Sequence, residues 1–155
     1  GDILKLKMVL FDRQMANDTG SEAYQNLASW GPPAEGWHYL GQCASNNYTD
    51  SPISLVFKPL AAAPGLLAAV ERWEQVWNNS GSSASRDFAL WRGVSSSETH
   101  VVVGGIFSAN PGHAHPTAEQ TEGIVAINSQ LVAEDGATRV WDDLGSGAKE
   151  DGSVW

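Results

Sequence analysis

The sequence has little that could stabilise a fold by covalent or ionic means. Its 155 residues include one cysteine, Cys43, which excludes an internal disulfide and any cysteine-based zinc cluster. Charged residues make up 17% of the chain, compared with about 25% in an average domain. A chain of this length buries roughly 68–70% of the surface that it exposes when unfolded. We therefore expect a single domain, residues 1–155, that folds without a disulfide or a metal.

Long apolar runs and positive charge are also scarce. No stretch of about 18 apolar residues is present, which predicts that the chain has no membrane span. No basic and apolar leader is visible, which leaves the location open between the cytoplasm and non-classical secretion. Eighteen acidic and nine basic residues give a net charge of -9. This charge opposes phosphate backbones and predicts that nucleic acid is not a partner.

Glycine and tryptophan are abundant, and their spacing shows a repeated motif. The stretch 76–91 (VWNNSGSSASRDFALW) aligns without a gap with 140–155 (VWDDLGSGAKEDGSVW). A third copy, 17–30 (NDTGSEAYQNLASW), shares the Asn/Asp pair, the Gly-Ser step and the final Trp. Its upstream apolar pair, Leu10-Phe11, lies five residues further away than the pattern requires, which predicts an insertion. A fixed period of this length is typical of folds built from repeated units.

Each repeat is predicted to contain four short strands. The repeats cover about 8–73, 74–137, and 138–155 together with 1–7. Apolar and basic residues alternate in the segment ILKLK (3–7), which predicts a strand. We expect this strand to pair back into the third unit. The predicted strands are 3–11, 27–31, 37–43, 54–59, 88–92, 100–107, 123–128, 137–142 and 152–155.

Two segments depart from the strand pattern. Leu66, Val70 and Trp73 share one helical face after Pro64-Gly65, which predicts a helix over 66–74. The segment 108–122 contains two prolines and no periodicity, which predicts an exposed loop. Three four-stranded units favour an all-β fold, a β-prism with pseudo-threefold repeats. The alternative is a β-trefoil.

The Gly-Ser loops of the motif are the candidate ligand sites. Glycine permits positive φ, so successive backbone N–H groups can face a concavity. Neighbouring Asn and Asp side chains add acceptors for sugar hydroxyls, and a nearby Trp would cover the apolar face of a pyranose. The predicted ligand-binding residues are Asp18, Gly20, Asn26, Asn79, Gly81, Asp87, Asp143, Gly145, Gly147, Asp151 and Trp37. Asx turns and core-filling tryptophans also explain this pattern, and both interpretations stay open.

Other chemistries have weaker signals. His113 and His115 supply two imidazoles without a closed ligand set, and the acidic residues lack the spacing of an EF-hand. We therefore predict no metal site. The sequence contains no GxSxG elbow, HExxH motif or P-loop. We accordingly predict that the protein is not an enzyme and takes no cofactor.

Several strings resemble one known family. FALWRG (88–93), VVVGG (101–105) and WDDLGSGAKEDGSVW (141–155) resemble the Vps62-type (vacuolar sorting 62-like) domain family, and the resemblance covers most of 8–155. It implies a β-prism that recognises glycans at a cell surface. The predicted function is therefore that of a lectin. The alternative is a membrane- or receptor-targeting module associated with a pore-forming toxin or defence protein. A second copy of the chain and a pore-forming partner stay open as partners.

Overall fold

The computed structural model describes residues 3–32, 36–60 and 64–155. Gly1 and Asp2, which the prediction assigns to the third repeat, lie outside these ranges. The described chain is all-β apart from short helical turns. Its strands are β1 (Leu4–Leu10), β2 (Arg13–Asn17), β3 (Ala28–Gly31), β4 (Cys43–Ser45), β5 (Ile53–Pro59), β6 (Leu67–Ala68), β7 (Val70–Asn78), β8 (Ala89–Ser95), β9 (His100–Val101), β10 (Ile106–Ser108), β11 (Ala126–Asn128), β12 (Trp141–Asp142) and β13 (Ser153–Val154).

The strands form several separate antiparallel sheets, and no sheet closes on itself within the described ranges. Their orders are β1-β5, β2-β3-β4, β7-β8-β10, β6-β11-β9 and β12-β13. Each copy of the repeated motif forms a hairpin in an equivalent register. The last residue before each loop pairs with the first strand residue after it: Asn17 with Ala28, Asn78 with Ala89, and Asp142 with Ser153. The sequence repeat is therefore also a structural repeat.

The N-terminal strand belongs to the first repeat. β1 pairs with β5 over its whole length, with Leu6 opposite Phe57. In the second repeat β6 pairs with β11 in the same way, with Leu67 opposite Ile127. The prediction that this strand closes the third unit is wrong. Alternation identifies a strand and its buried face, but it does not specify which strand is the partner.

The predicted helix over 66–74 is also wrong, because this segment forms β6 and the first half of β7. β7 contains two irregularities in its pairing with β8, between Val70 and Arg72 and between Gln75 and Trp77. Each β-bulge adds one residue and interrupts the alternation of a strand. The inward positions of β7 consequently lie three and four residues apart, at Val70, Trp73 and Trp77. That spacing is the one that normally indicates a helix.

The first motif copy contains no insertion. β2 has an irregularity between Gln14 and Ala16, at the same place as the one before Trp77 in β7. In both strands the Asn side chain that follows donates to the Gln three residues earlier, at 2.7 Å in β2 and 2.9 Å in β7. Ala16 therefore occupies the position of Trp77. Phe11, which the insertion would have placed there, is fully buried elsewhere in the core.

The segment 108–122 has more structure than the loop that was predicted. It contains a 3-10 turn at Pro111–His113 and a helix, α1, at Ala118–Thr121. Thr117 begins the helix with a capping box, in which its side chain and that of Gln120 each accept the other residue's backbone N–H. The Thr-x-x-Gln spacing was the signal for this helix in the sequence.

Most tryptophans of the motif fill the core. Trp77 and Trp141 meet edge to face at 5.7 Å in one cluster with Ala16, their counterpart in the first copy. Trp30 and Trp91 are buried in a second cluster, and each donates its indole N–H to a serine hydroxyl at 2.8 Å. Trp155 differs, since it is 67% exposed. The core-filling interpretation is therefore correct for four of the five motif tryptophans.

The three motif loops join in a cyclic set of backbone hydrogen bonds. Ser85 donates to Thr19 at 2.9 Å, Lys149 to Ser80 at 2.8 Å, and Tyr24 to Leu144 at 2.9 Å. Donors and acceptors occupy equivalent positions in the three copies. Each loop therefore gives one hydrogen bond to one neighbour and receives one from the other. We call this arrangement the loop ring.

We predict that Gly81→Ala destabilises the loop ring. Gly81 has φ +92°, and a Cβ there would lie 3.1 Å from the Gly147 carbonyl oxygen and 3.0 Å from the Lys149 side chain. We expect a loss of about 2–4 kcal/mol in the free energy of unfolding, measured in urea. Gly65→Ala is the control, because Gly65 has φ +77° but no neighbouring atom within 4 Å. If both variants lost the same free energy of unfolding, the contact of Gly81 within the loop ring would not contribute to stability.

Candidate functional site

Each motif loop is closed by a buried Asp or Asn side chain. The Oδ1 atoms of Asp18, Asn79 and Asp143 accept the backbone N–H of the residue nine positions later, at 2.8, 3.0 and 2.9 Å. These three side chains are only 1%, 5% and 7% exposed. The sequence prediction made them ligand contacts, whereas much of their hydrogen-bonding capacity is used within the loop. We call them the loop clamps.

In the first two loops a ring from a neighbouring segment covers the clamp. The Tyr48 hydroxyl donates to Asp18 Oδ1 at 2.8 Å and lies 3.3 Å from Asn26 Oδ1. His113 Nε2 lies 2.7 Å from Asn79 Oδ1 and 3.8 Å from Asp87 Oδ1. Both rings come from the segment after the third strand of a sheet, β4 or β10. Each fills the space between the clamp and the exposed Asx residue that follows in the motif.

The corresponding space in the third loop is open. Asp143, Asp151, Gly152 and Ser153 line it, and no aromatic or imidazole ring lines it among the described residues. The cavity has a volume of about 360 Å³, which lies within the usual range for small-molecule sites, roughly 300–1,000 Å³. We call it the third-loop pocket.

A basic and an aromatic side chain lie beside this pocket. Arg139 lines it, and its Nη1 atom is 3.1 Å from Asp142 Oδ2. The guanidinium carbon of Arg139 also lies 6.0 Å from the centre of the exposed Trp155 ring. Donors, acceptors and an apolar ring are thus all present at this loop.

The motif glycines serve the loop ring. A Cβ at Gly20 would approach the backbone of Ser85, and one at Gly145 would lie 2.8 Å from the Tyr24 ring. Gly147 lies on the other side of the same contact, since its carbonyl oxygen faces Gly81. All four have positive φ. Their role in the structure is the close approach of neighbouring loops, which needs both the left-handed backbone and the missing side chain.

Trp37 lies away from all three loops. It is half-buried against the core cluster of Trp30, and the Nζ atoms of Lys58, Lys7 and Lys5 lie 4.7, 5.8 and 5.9 Å from its ring centre. It also lines a separate cleft of about 220 Å³ with Arg13, His38 and Glu122. The structure therefore does not join Trp37 with the other predicted ligand residues.

Sequence reasoning missed Tyr48 and Arg139, and it considered His113 only as a metal ligand. The imidazoles of His113 and His115 have separate partners: His113 contacts Asn79, whereas His115 packs 5.2 Å from the Trp91 ring. Tyr48 and His113 differ in residue type and lie outside the repeated motif. A comparison of the repeats could not detect them, because only their place after an equivalent strand is shared.

Tyr48→Phe should destabilise the protein. Burial, followed by the hydrogen bond to Asp18, raises the pKa of Tyr48 to about 12, so the phenol stays protonated and donates. A folded pKa above the unfolded value of 10.0 stabilises the protein below pH 10, and this contribution is lost as the pH rises through about 12. We expect the substitution to cost about 1–3 kcal/mol in urea unfolding at neutral pH.

The control for this prediction is Tyr24→Phe, because the Tyr24 side chain is 80% exposed. It should change stability by no more than about 0.5 kcal/mol. Burial also raises the pKa of Tyr39 to about 12, so an absorbance titration of Tyr48→Phe should show a smaller step near pH 12 and an unchanged step near pH 10. Loss of a step near pH 10 instead would contradict the assigned hydrogen bond.

Comparisons with known proteins give one informative similarity. No protein-family model and no curated protein matches the chain. Among the described residues, no helix has the length and apolarity needed to cross a membrane. The crystal structure of GNIP1Aa from Chromobacterium piscinae is similar to this chain, with a TM-score of 0.80 and 29% sequence identity. The similarity covers 97% of this chain and 29% of that chain, so this chain is similar to a part of a longer protein.

Proposed function

We propose that the protein is a glycan-binding module, a lectin, and that the third-loop pocket is its sugar site. One observation carries this proposal. In the third loop Asp143 and Asp151 line a cavity of about 360 Å³ together with Arg139, Gly152 and Ser153.

The groups around the pocket suit a polyhydroxylated ring. Sugar hydroxyls both donate and accept hydrogen bonds, so they need acceptors and donors at close range. Asp143 and Asp151 supply carboxylate acceptors, and Arg139 and Ser153 supply donors. The exposed Trp155 ring lies beside Arg139 and offers an apolar surface for the C–H face of a pyranose.

We also propose a prism arrangement for the three repeats and membership of the Vps62-type domain family. The loop ring supports the prism, because its three hydrogen bonds relate equivalent positions in cyclic order. The shared motif residues support the family, and no catalytic residue set is proposed. The similarity to 29% of the GNIP1Aa chain supports a fold that is used as one part of a longer protein.

Asp151→Ala should abolish glycan binding. The substitution removes an exposed acceptor of the third-loop pocket but leaves the clamp bond between Asp143 and Gly152 intact. We expect at least a tenfold weaker signal on a glycan array, the equivalent of about 1.4 kcal/mol. Asp87→Ala is the matched control, because Asp87 occupies the same motif position in a loop covered by His113. Unchanged binding in Asp151→Ala with the fold retained would refute this site.

A second candidate function is targeting to an anionic membrane surface, and a specific patch favours it. Lys5, Lys7 and Lys58 gather around Trp37. The exposed apolar side chains Leu6, Met8, Leu10 and Ile53 alternate with the lysine positions in the β1-β5 pair, so they lie on the opposite face of this sheet. Lysines attract acidic headgroups, and Trp side chains favour the membrane interface.

Lys7→Glu should weaken binding to vesicles that contain phosphatidylserine if this second function is correct. Each basic residue near such a surface contributes about 1 kcal/mol, so reversal of the charge should reduce binding by more than about fivefold in a sedimentation assay. Arg86→Glu changes the net charge equally but lies in a motif loop, far along the chain from the patch, and serves as the control. Equal loss in both variants would indicate only a response to net charge.

A further inference from the structure

A second cleft lies away from the motif loops, between the first repeat and the segment that follows α1. It has a volume of about 220 Å³, and its lining includes Arg13, Trp37, Tyr39 and Glu122. Arg13 begins β2, and Glu122 ends α1. The backbone N–H of Tyr39 donates to the Gly123 carbonyl at 3.1 Å, which joins the two sides of the cleft. We call it the Tyr39 cleft.

Tyr39 contributes a buried hydroxyl group to this cleft. The side chain is only 5% exposed, and burial raises its pKa to about 12, so the hydroxyl is a donor at neutral pH. A buried phenol usually has a hydrogen-bond partner, as the donation from Tyr48 to Asp18 illustrates. Within the described ranges, no group forms such a bond with the hydroxyl of Tyr39. This donor is therefore available to a ligand.

Opposite charges act on this hydroxyl from the two sides of the cleft. Beyond the effect of burial, Arg13 lowers the pKa of Tyr39 and Glu122 raises it, so both charges lie close to the ring. Both charged side chains are exposed, and no ion pair joins these two described residues to each other. Two opposite charges that line one space without pairing are matched by a molecule that carries both charges itself.

The charge around the cleft is mostly positive, although the whole chain has a net charge of -9. The Nζ atoms of Lys58, Lys7 and Lys5 lie within 5.9 Å of the centre of the Trp37 ring, which lines the cleft. A positive field of this kind raises the local concentration of anions and repels cations. A ligand therefore needs a negative group, and a positive group strengthens binding only in addition to it.

We infer that the Tyr39 cleft binds a small zwitterion, a molecule in which an anionic oxygen group and an ammonium group are a few bonds apart. The anionic group pairs with the planar guanidinium of Arg13 and accepts the O–H of Tyr39. The ammonium group pairs with Glu122. The Tyr39 cleft shares no lining residue with the third-loop pocket, so this inference does not depend on the proposed function.

Three forms of one molecule test the inference by separating its charges. L-alanine carries both charges, N-acetyl-L-alanine only the negative one, and L-alanine methyl ester only the positive one. Binding is followed by NMR through the backbone amide signals of Tyr39 and Gly123 at about pH 6, where the carboxylates are ionised and the free amines protonated. We expect N-acetyl-L-alanine to bind about tenfold more weakly than L-alanine, and the methyl ester to produce no shift.

A fourth ligand distinguishes two sources of the same chemistry. Glycerophosphoethanolamine is the soluble headgroup of a phospholipid and carries a phosphate and an ammonium group. Tighter binding of this compound than of L-alanine would assign the cleft to a lipid headgroup, and the reverse order would assign it to a free amino acid. Both orders agree with a site for a small zwitterion.

Matched variants assign the binding to the cleft. Glu122→Gln should reduce the preference for L-alanine over its N-acetyl form to less than about threefold, because it removes the partner of the ammonium group. Glu98→Gln changes the net charge equally outside the cleft and should leave the preference unchanged. Tyr39→Phe should weaken binding of L-alanine about fivefold without lowering the urea midpoint, whereas Tyr48→Phe should lower the midpoint and keep the binding.

Three results would overturn the inference. The first is equal binding of L-alanine and N-acetyl-L-alanine to the unaltered protein. The second is the absence of shifts with both L-alanine and glycerophosphoethanolamine. The third is a lower urea midpoint together with unchanged binding in Tyr39→Phe, which would show that the hydroxyl serves only the fold. None of these results bears on the proposed function, because glycan binding is measured with other ligands and with variants of the third-loop pocket.

Discussion

A buried Asp or Asn side chain holds each motif loop closed, and the other features depend on this contact. The clamp fixes the distance between the two strands of its hairpin, because it accepts the N–H of the residue nine positions later. The fixed loop then presents its glycine to the neighbouring loop, and the residue two positions before the clamp (Ala16, Trp77 or Trp141) lies in the core. Burial of the clamp carries a desolvation cost that its hydrogen bonds must offset. This requirement explains why all three copies of the motif have Asp or Asn at the clamp position, since both side chains carry an acceptor oxygen.

The same contact relates the repeats to the candidate site. The clamp oxygen has capacity for a second donor, and the protein supplies that donor from its own chain in two loops. The third loop keeps the clamp and the turn but offers its remaining acceptors to the third-loop pocket. The same position of the motif therefore receives a second contact from another segment in two loops and lines a cavity in the third.

The sequence predicted those features of the fold that are local. The repeated Asx-Gly-Ser pattern identified the three motif loops and the strand that follows each of them, and the alternation in 3–7 identified β1, because each signal lies within a few neighbouring residues. The helix predicted over 66–74 failed because two bulges give β7 the spacing of a helix. The partner of β1 could not be predicted, since pairing with β5 depends on a contact about 50 residues away.

The candidate site was predictable only in part, for a related reason. Asp143 and Asp151 were identified because they lie in the motif. The third loop differs from the other two because Tyr48 and His113 contact only those two. The paths of β4 and β10 place these two side chains, and the neighbouring sequence does not reveal those paths. Trp37 was predicted as a ligand residue although it lies outside the repeated motif, and its ring contacts three lysines that come from two separate strands.

The loop ring has a consequence for the way the chain folds. Its three hydrogen bonds join segments that are distant along the chain, such as Thr19 and Ser85, which are 66 residues apart. Hairpins form quickly from local contacts, whereas contacts of this sequence separation form slowly because a long loop must close first. The ring can be completed only when all three hairpins are present. Each hairpin therefore gains its full stability at the last step of folding, and a chain that lacks any one of them leaves a donor on one neighbour and an acceptor on the other without a partner.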